Sequence, residues 1–132
     1  MKYIYQIELK VRDYECDIQG IVNNSCYQHY MEHARHEFLE TTGKSFVELT
    51  AEGIIAMVSN VNIQYKTSLR GGDKFVVCIN IYRKGIKLVF VEDIYRVSDN
   101  ALCAKGLVEI VYTQNGKLGR GEIFDELLGD FL

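Results

Sequence analysis

Asp17 and the helix-like run behind it are the residues of this chain whose types and spacing best suit chemistry. The stretch reads Asp17-Ile18-Gln19-Gly20-Ile21-Val22-Asn23-Asn24 and runs directly into Ser25-Cys26-Tyr27-Gln28-His29-Tyr30-Met31. Tyr27, Tyr30, Met31, Ala34, Phe38 and Thr41 recur at the i, i+3, i+4, i+7 spacing of one helical face. One of Asn23, Asn24 or Ser25 is expected to cap that helix, and Gly43 to close it. A helix start presents unpaired N–H groups and the positive end of a dipole. Such a site suits an anion, including the oxyanion of acyl transfer. With Gly20 permitting a sharp loop, a carboxylate at Asp17 can reach the same space. The same spacing fits a plainer role, in which Asp17 only bonds the amides of its own loop.

Other chemical signals compete with this one. His29-Tyr30-Met31-Glu32-His33 spells the H-x-x-E-H of some zinc proteases. On the helical wheel, however, His29, His33 and His36 fall opposite the apolar stripe, which favours a solvated face over a metal site. Glu32 and Glu37 read as partners of i, i+3 or i, i+4 pairs. Ser59 interrupts an apolar strand face, either lining a pocket or satisfying its hydroxyl within the sheet. Arg83-Lys84-Gly85-Ile86-Lys87 is a basic hairpin tip, open to phosphate binding or to simple solvation. Cys16, Cys26, Cys78 and Cys103 show no CxxC spacing, so reduced and mostly buried thiols are expected.

These residues need elements to hold them. Residues 3–12 alternate as a strand with one buried face. Residues 54–68 form a longer strand, with Ile55, Met57, Val61, Ile63 and Tyr65 assigned to one face and Ile54, Ala56 and Val58 to the other. Strands over 75–82, 87–97 and 101–113 follow, separated by turns at Arg70-Gly71-Gly72-Asp73, Arg83-Lys84-Gly85, Ser98-Asp99-Asn100 and Asn115-Gly116. A short final helix is expected over 124–128. Short connections imply antiparallel neighbours, so the fold class is α+β: an antiparallel sheet on one long central helix. Strand 101–113 carries apolar or small residues on both faces, which one helix covers on one side only. A homodimer or homotetramer is therefore expected.

Composition bounds the rest. At 132 residues, 48% apolar and 25% charged, the chain reads as a single globular domain over 1–132. Its net charge of −3 gives no electrostatic support for nucleic-acid binding. No apolar run is long enough to span a membrane. The alternating start and the absence of a signal-peptide core lead us to expect a cytoplasmic protein. Neither a metal nor a cofactor is expected.

The pattern Asp17-x-x-Gly20-x-Val22-x-Asn24-x-x-Tyr27, followed by Glu32-x-Ala34-Arg35-x-Glu37-Phe38-Leu39, resembles the hot-dog fold acyl-CoA thioesterases. The 4-hydroxybenzoyl-CoA thioesterase-like branch is the nearest, and the likeness covers essentially the whole chain. The resemblance implies a helix wrapped by the sheet, two subunits paired to extend that sheet, and an active site at their interface. It implies that Asp17 is the catalytic carboxylate and that the amide near Asn24 polarises the thioester carbonyl. Gly20 and Tyr27 become substrate-binding positions with Ser59, and the turn of Arg83 and Lys84, with Lys87, holds the CoA phosphates. Many relatives carry an aromatic residue or a histidine in place of Asn24. Val22-Asn23-Asn24 also resembles acyl-ACP thioesterases, although those carry Asn and His where this chain has Gln19 and Ile21. The carrier, CoA or acyl carrier protein, stays open on these residues. A hot-dog dehydratase or a non-catalytic acyl-CoA sensor are the competing classes.

Overall fold

The computed structural model describes residues 2–44 and 46–132. In chain order it holds β1 (Tyr5–Lys10), α1 (Asn24–Thr41), α2 (Phe46–Ala51), β2 (Ile54–Tyr65), β3 (Lys74–Lys84), β4 (Lys87–Arg96), β5 (Leu102–Gln114), β6 (Lys117–Leu118) and α3 (Glu122–Leu128). The strands form one antiparallel sheet in the order β1-β3-β4-β5-β2, with the short β6 beside β5. β1 and β2 are therefore its edges. The sheet and long helix expected from the sequence are both present. The six-residue α2 is an addition, too short to show a helical period.

α1 lies across the inner face of the sheet. Tyr27, Tyr30, Met31, Ala34 and Phe38 are buried as the periodicity predicts, and each large apolar side chain contributes about 1.5–3 kcal/mol by leaving water. Arg35 and Leu39 are buried with them, which widens the stripe. Thr41 is exposed instead, its hydroxyl donating to the Phe38 carbonyl at 2.6 Å. Facing the helix are Phe75, Val77, Ile79 and Ile81 of β3, Phe90 and Ile94 of β4, and Ala104, Val108, Ile110 and Tyr112 of β5. The helix crosses β5 closely at Gly106, where a Cβ would stand 2.6 Å from the Met31 sulfur.

One face assignment changes. In β2 the register slips between Val58 and Asn60, so two residues oppose one. This bulge turns Val61 and Ile63 onto the same inner side as Ile54 and Ala56. Ile55 and Met57 fall on the outer side and are 50% and 41% exposed. In β5, Leu107 on the outer face is 42% exposed and Val111 half-buried, so within one chain only the inner face is fully covered.

Candidate active site

Asp17 sits at the base of a tight loop. Cys16 and Val22 pair as an isolated antiparallel bridge, and the Asp17 amide donates to the Ile21 carbonyl at 2.9 Å. The Asp17 Oδ1 accepts the amides of Gln19 at 2.8 Å and Ile21 at 3.3 Å. The plainer role read from the spacing is thus part of its geometry. Gly20 has φ +78°, a left-handed turn that a side chain would strain. Asp17 is exposed, and Ile18 beside it stands fully in solvent.

The loop leads straight to the helix start. Asn23 is the N-cap residue, with extended φ and ψ, and its side chain makes no capping bond. The Cys26 amide bonds back to the Asn23 carbonyl at 2.9 Å, which leaves the amides of Asn24 and Ser25 for another acceptor, at the positive end of an 18-residue helix. The Asn23 amide donates to the Glu15 carbonyl at 3.0 Å, and Tyr65 on β2 donates to the Asn24 carbonyl at 3.2 Å. Tyr27 accepts the Leu69 amide at 2.9 Å and packs against the rings of Tyr30 and Tyr65. Asn24, Tyr27 and Tyr65, with residues 66–68, line a hollow of about 110 Å³ at this end of the helix.

Glu15 was not singled out from the sequence, yet it fixes this region. Its buried Oε1 accepts the Arg12 amide at 2.7 Å and the Tyr30 hydroxyl at 2.8 Å, and Arg12 Nη1 reaches Oε2 at 3.3 Å. The loop leading to Asp17 is thereby tied to the second turn of α1. Burial, with the Glu15 carboxylate as its partner, pushes the Tyr30 phenol well above its ordinary range. The signal available was slight: a carboxylate three residues after an arginine in a loop, indistinguishable from a surface pair.

Other predicted residues stand elsewhere. Ser59 lies exposed in the β2 bulge, its hydroxyl bonded to the Glu109 carbonyl at 3.2 Å, which is the satisfied-strand reading. The β3–β4 tip lies at the other end of the sheet, beside α3. Arg83 is not a free cation there: its guanidinium donates to the carbonyls of Gly121 and Gly85, each at 2.8 Å, and to Asp125 at 2.6 Å. Lys87 pairs with Glu109 at 2.6 Å, and Lys84, 68% exposed, stands 3.9 Å from the same carboxylate. His33 and His36 lie on the exposed helix face at 3.9 Å and 4.0 Å from Glu37 and Glu32. The four cysteines are free thiols, with Cys78 and Cys103 buried.

Residues 11–130 match the model of the thioesterase-like superfamily. The chain is 46% identical over 77 residues to the chloroplastic acyl-acyl carrier protein thioesterase ATL3 of Arabidopsis thaliana, covering 58% of this chain and 40% of that one. It is 41% identical over 61 residues to the long-chain acyl-CoA thioesterase FadM of Escherichia coli, 46% of each chain. The match thus spans less than half the length of these curated relatives. A crystal structure of a hypothetical protein from Aquifex aeolicus is 28% identical and aligns with a TM-score of 0.84, covering 93% of this chain and 98% of that one.

Proposed function

The chain belongs to the thioesterase-like superfamily, and from that premise we propose that it hydrolyses the thioester of an acyl-CoA to the free acid and CoA. One observation carries the reading. The uncapped start of α1 and the loop bearing Asp17 are held side by side on an exposed rim, through Glu15. Asp17 would attack the carbonyl as nucleophile or draw a proton from the attacking water. The amide near Asn24 would hold the oxyanion until the thiolate leaves. Gly20 shapes the loop, and Tyr27 walls the hollow beside it.

The site so described is open on one side, and we place a second copy of the chain there. β2 is an unpaired edge of twelve residues, flanked by exposed Ile55, Met57 and Leu107. A long apolar edge of this kind invites pairing, which supports a homodimer, or a tetramer through the outer sheet face. For the CoA phosphates we retain Lys84 and Lys87 as candidates ahead of Arg83, whose two Nη groups are engaged and whose Nε is buried. Ser59 keeps a contact role only through a partner subunit. The four free thiols favour a reducing, cytoplasmic setting. No helix among the described residues is long and apolar enough to cross a membrane.

A second reading takes acyl carrier protein as the carrier. It is favoured by the Arabidopsis match and by the internal pairing of the basic tip. Thiol release, followed with a thiol reagent, tests both. The protein should liberate thiol from an acyl-CoA, an acyl-ACP, or both, and the preferred carrier is the one with the higher kcat/KM. Silence on both carriers across short and long acyl groups would make it a non-catalytic binder.

A further inference from the structure

The core is not full beneath the C-terminal half of α1. A cavity of about 50 Å³ lies between α1, α2, α3 and the inner sheet face. Leu39 and Leu49, Phe90 and Ile110, and Leu127 and Leu128 supply much of its wall. Protein interiors seldom leave voids much larger than a water, which needs roughly 10–15 Å³. An apolar pocket of several times that size can accept an apolar guest. Among the described residues that line it, the one charged side chain is Arg35.

Arg35 also borders a second space. On its other side, Glu32, His36, Ala56, Met57 and Val58 form an open groove of about 240 Å³ between α1 and the edge strand β2. Arg35, Ala56 and Ile110 belong to both linings, so they form the neck between groove and cavity. β2 runs back beside α1, from Ala56 at Arg35 to Tyr65, whose hydroxyl reaches Asn24. The seam between them therefore leads from the helix start toward the neck. Arg35 is held across that neck by Glu92 at 2.8 Å, with side-chain exposures of 8% and 0%. A buried ion pair is a weak source of stability compared with apolar residues of the same volume. Its cost is better explained by its position at the neck.

We propose that this cavity receives the distal methylenes of a long saturated acyl chain, with Arg35, fixed by Glu92, setting the width of its mouth. The inference rests on the thioester-hydrolase reading and names the substrate class it prefers. From Asn24 to Arg35 the helix rises about 16 Å at 1.5 Å per residue. At about 1.3 Å of reach per carbon–carbon bond, roughly twelve carbons span that seam. The void behind the neck then takes only the last few. A chain of about sixteen carbons fits this arithmetic, whereas one of about eight stops in the groove.

The test compares hexadecanoyl-CoA with octanoyl-CoA. Ala56→Leu narrows the neck, and Leu127→Phe fills the cavity from a half-buried position on α3. Each should lower the ratio of the two kcat/KM values about tenfold or more, the scale at which pocket methylenes discriminate. Tetradecanoic acid should raise the thermal unfolding midpoint of the parent, octanoic acid should not, and both variants should lose the shift. Variants that melt near the parent yet keep its ratio and its tetradecanoic acid shift would overturn the pocket. Should the parent hydrolyse neither ester, whether carried on CoA or on acyl carrier protein, the hydrolase reading fails separately. The tetradecanoic acid shift then decides the cavity, and its absence overturns the proposal.

Discussion

Glu92, on the middle strand and closed to solvent, lies 2.8 Å from Arg35 on the helix above it. Burial pushes its carboxyl up to about 7, although the guanidinium pulls the other way. The folded protein thus holds this proton more readily than the unfolded chain between the ordinary 4.5 and about 7. The stability contributed by the group is complete below its ordinary value and lost as pH rises through about 7. Relative to Glu92→Gln, the parent should lose unfolding free energy between about pH 5 and pH 8 in urea titrations. A difference that stays flat across that window would mean the carboxyl is ionised throughout.

Removing the cation alone should do more harm than removing the pair. Arg35→Met leaves a buried carboxylate without its partner, a change that typically costs about 3–5 kcal/mol. Among the described residues, Glu92 Oε2 already lacks a hydrogen-bond partner, so nothing nearby compensates. The double variant Arg35→Met with Glu92→Leu should recover most of the loss. Equal losses in the single and double variants, by urea titration at about pH 8, would show that the two side chains do not act as a pair.

The long helix, the strands themselves and the motif loop were legible because each has a period or a turn signal of its own. The place of β2 was not: the short connection to β3 implies that the two are neighbours, yet β2 pairs with β5 and β3 with β1 and β4. α1 shows its apolar stripe at 3.6 residues, and β1 alternates cleanly. Arg35 was not legible as a core residue, because a wheel counts arginine as polar and its partner Glu92 is 57 positions away. Glu92 itself sits in a run, Val89-Phe90-Val91-Glu92-Asp93-Ile94, that reads as strand with no hint of which face is sealed. The β2 bulge was invisible for another reason: one extra residue at Ser59 inverts the alternation beyond it, and two half-strands of opposite phase look like one mixed strand. Arg83 looked free because its acceptors on α3 arise about forty positions later.

The Glu15 anchor yields a separate expectation. A hydrogen bond to a charged group contributes about 1.5–3 kcal/mol, and the Glu15 carboxylate takes one from Tyr30 and one from the Arg12 amide. Tyr30→Phe should remove the first alone, lowering stability by about that range. Glu15→Ala should lower it further and also cut kcat, because the loop before Asp17 then keeps its backbone bond to Asn23 but loses its side-chain tie to Tyr30. Full activity in a folded Glu15→Ala protein would mean the loop is positioned by other contacts.

Asp17→Asn keeps the side-chain shape and can still accept the Gln19 amide, but it removes the charge. It should lower kcat by at least about 10²-fold, the scale of losing a general base. Asn24→Ala should lower it far less, since the backbone N–H is retained and the Asn23 cap is not a side-chain cap. Near-parental turnover by Asp17→Asn would leave the carboxylate only its loop-bonding role.

Arg83 and Lys84 are neighbours on one hairpin tip, and the structure gives them different work. The Arg83 guanidinium donates to Gly121, Asp125, Gly85 and Arg120, so it ties the start of α3 to the sheet. Arg83→Ala should loosen that helix, seen as lower stability and faster amide exchange over residues 122–128. Lys84 makes one loose, exposed approach to Glu109, and surface pairs of that kind contribute about 0–1 kcal/mol. Lys84→Ala should therefore leave stability unchanged. If the tip holds CoA phosphates, it should raise KM for acyl-CoA with kcat preserved, because those contacts are equal in ground and transition states. The reverse pattern, with KM raised by Arg83→Ala and no loss of stability, would release Arg83 from α3 and return it to the phosphates. An unchanged KM for acyl-CoA in both variants, beside efficient turnover of acyl-ACP, would assign the carrier to the protein rather than the nucleotide.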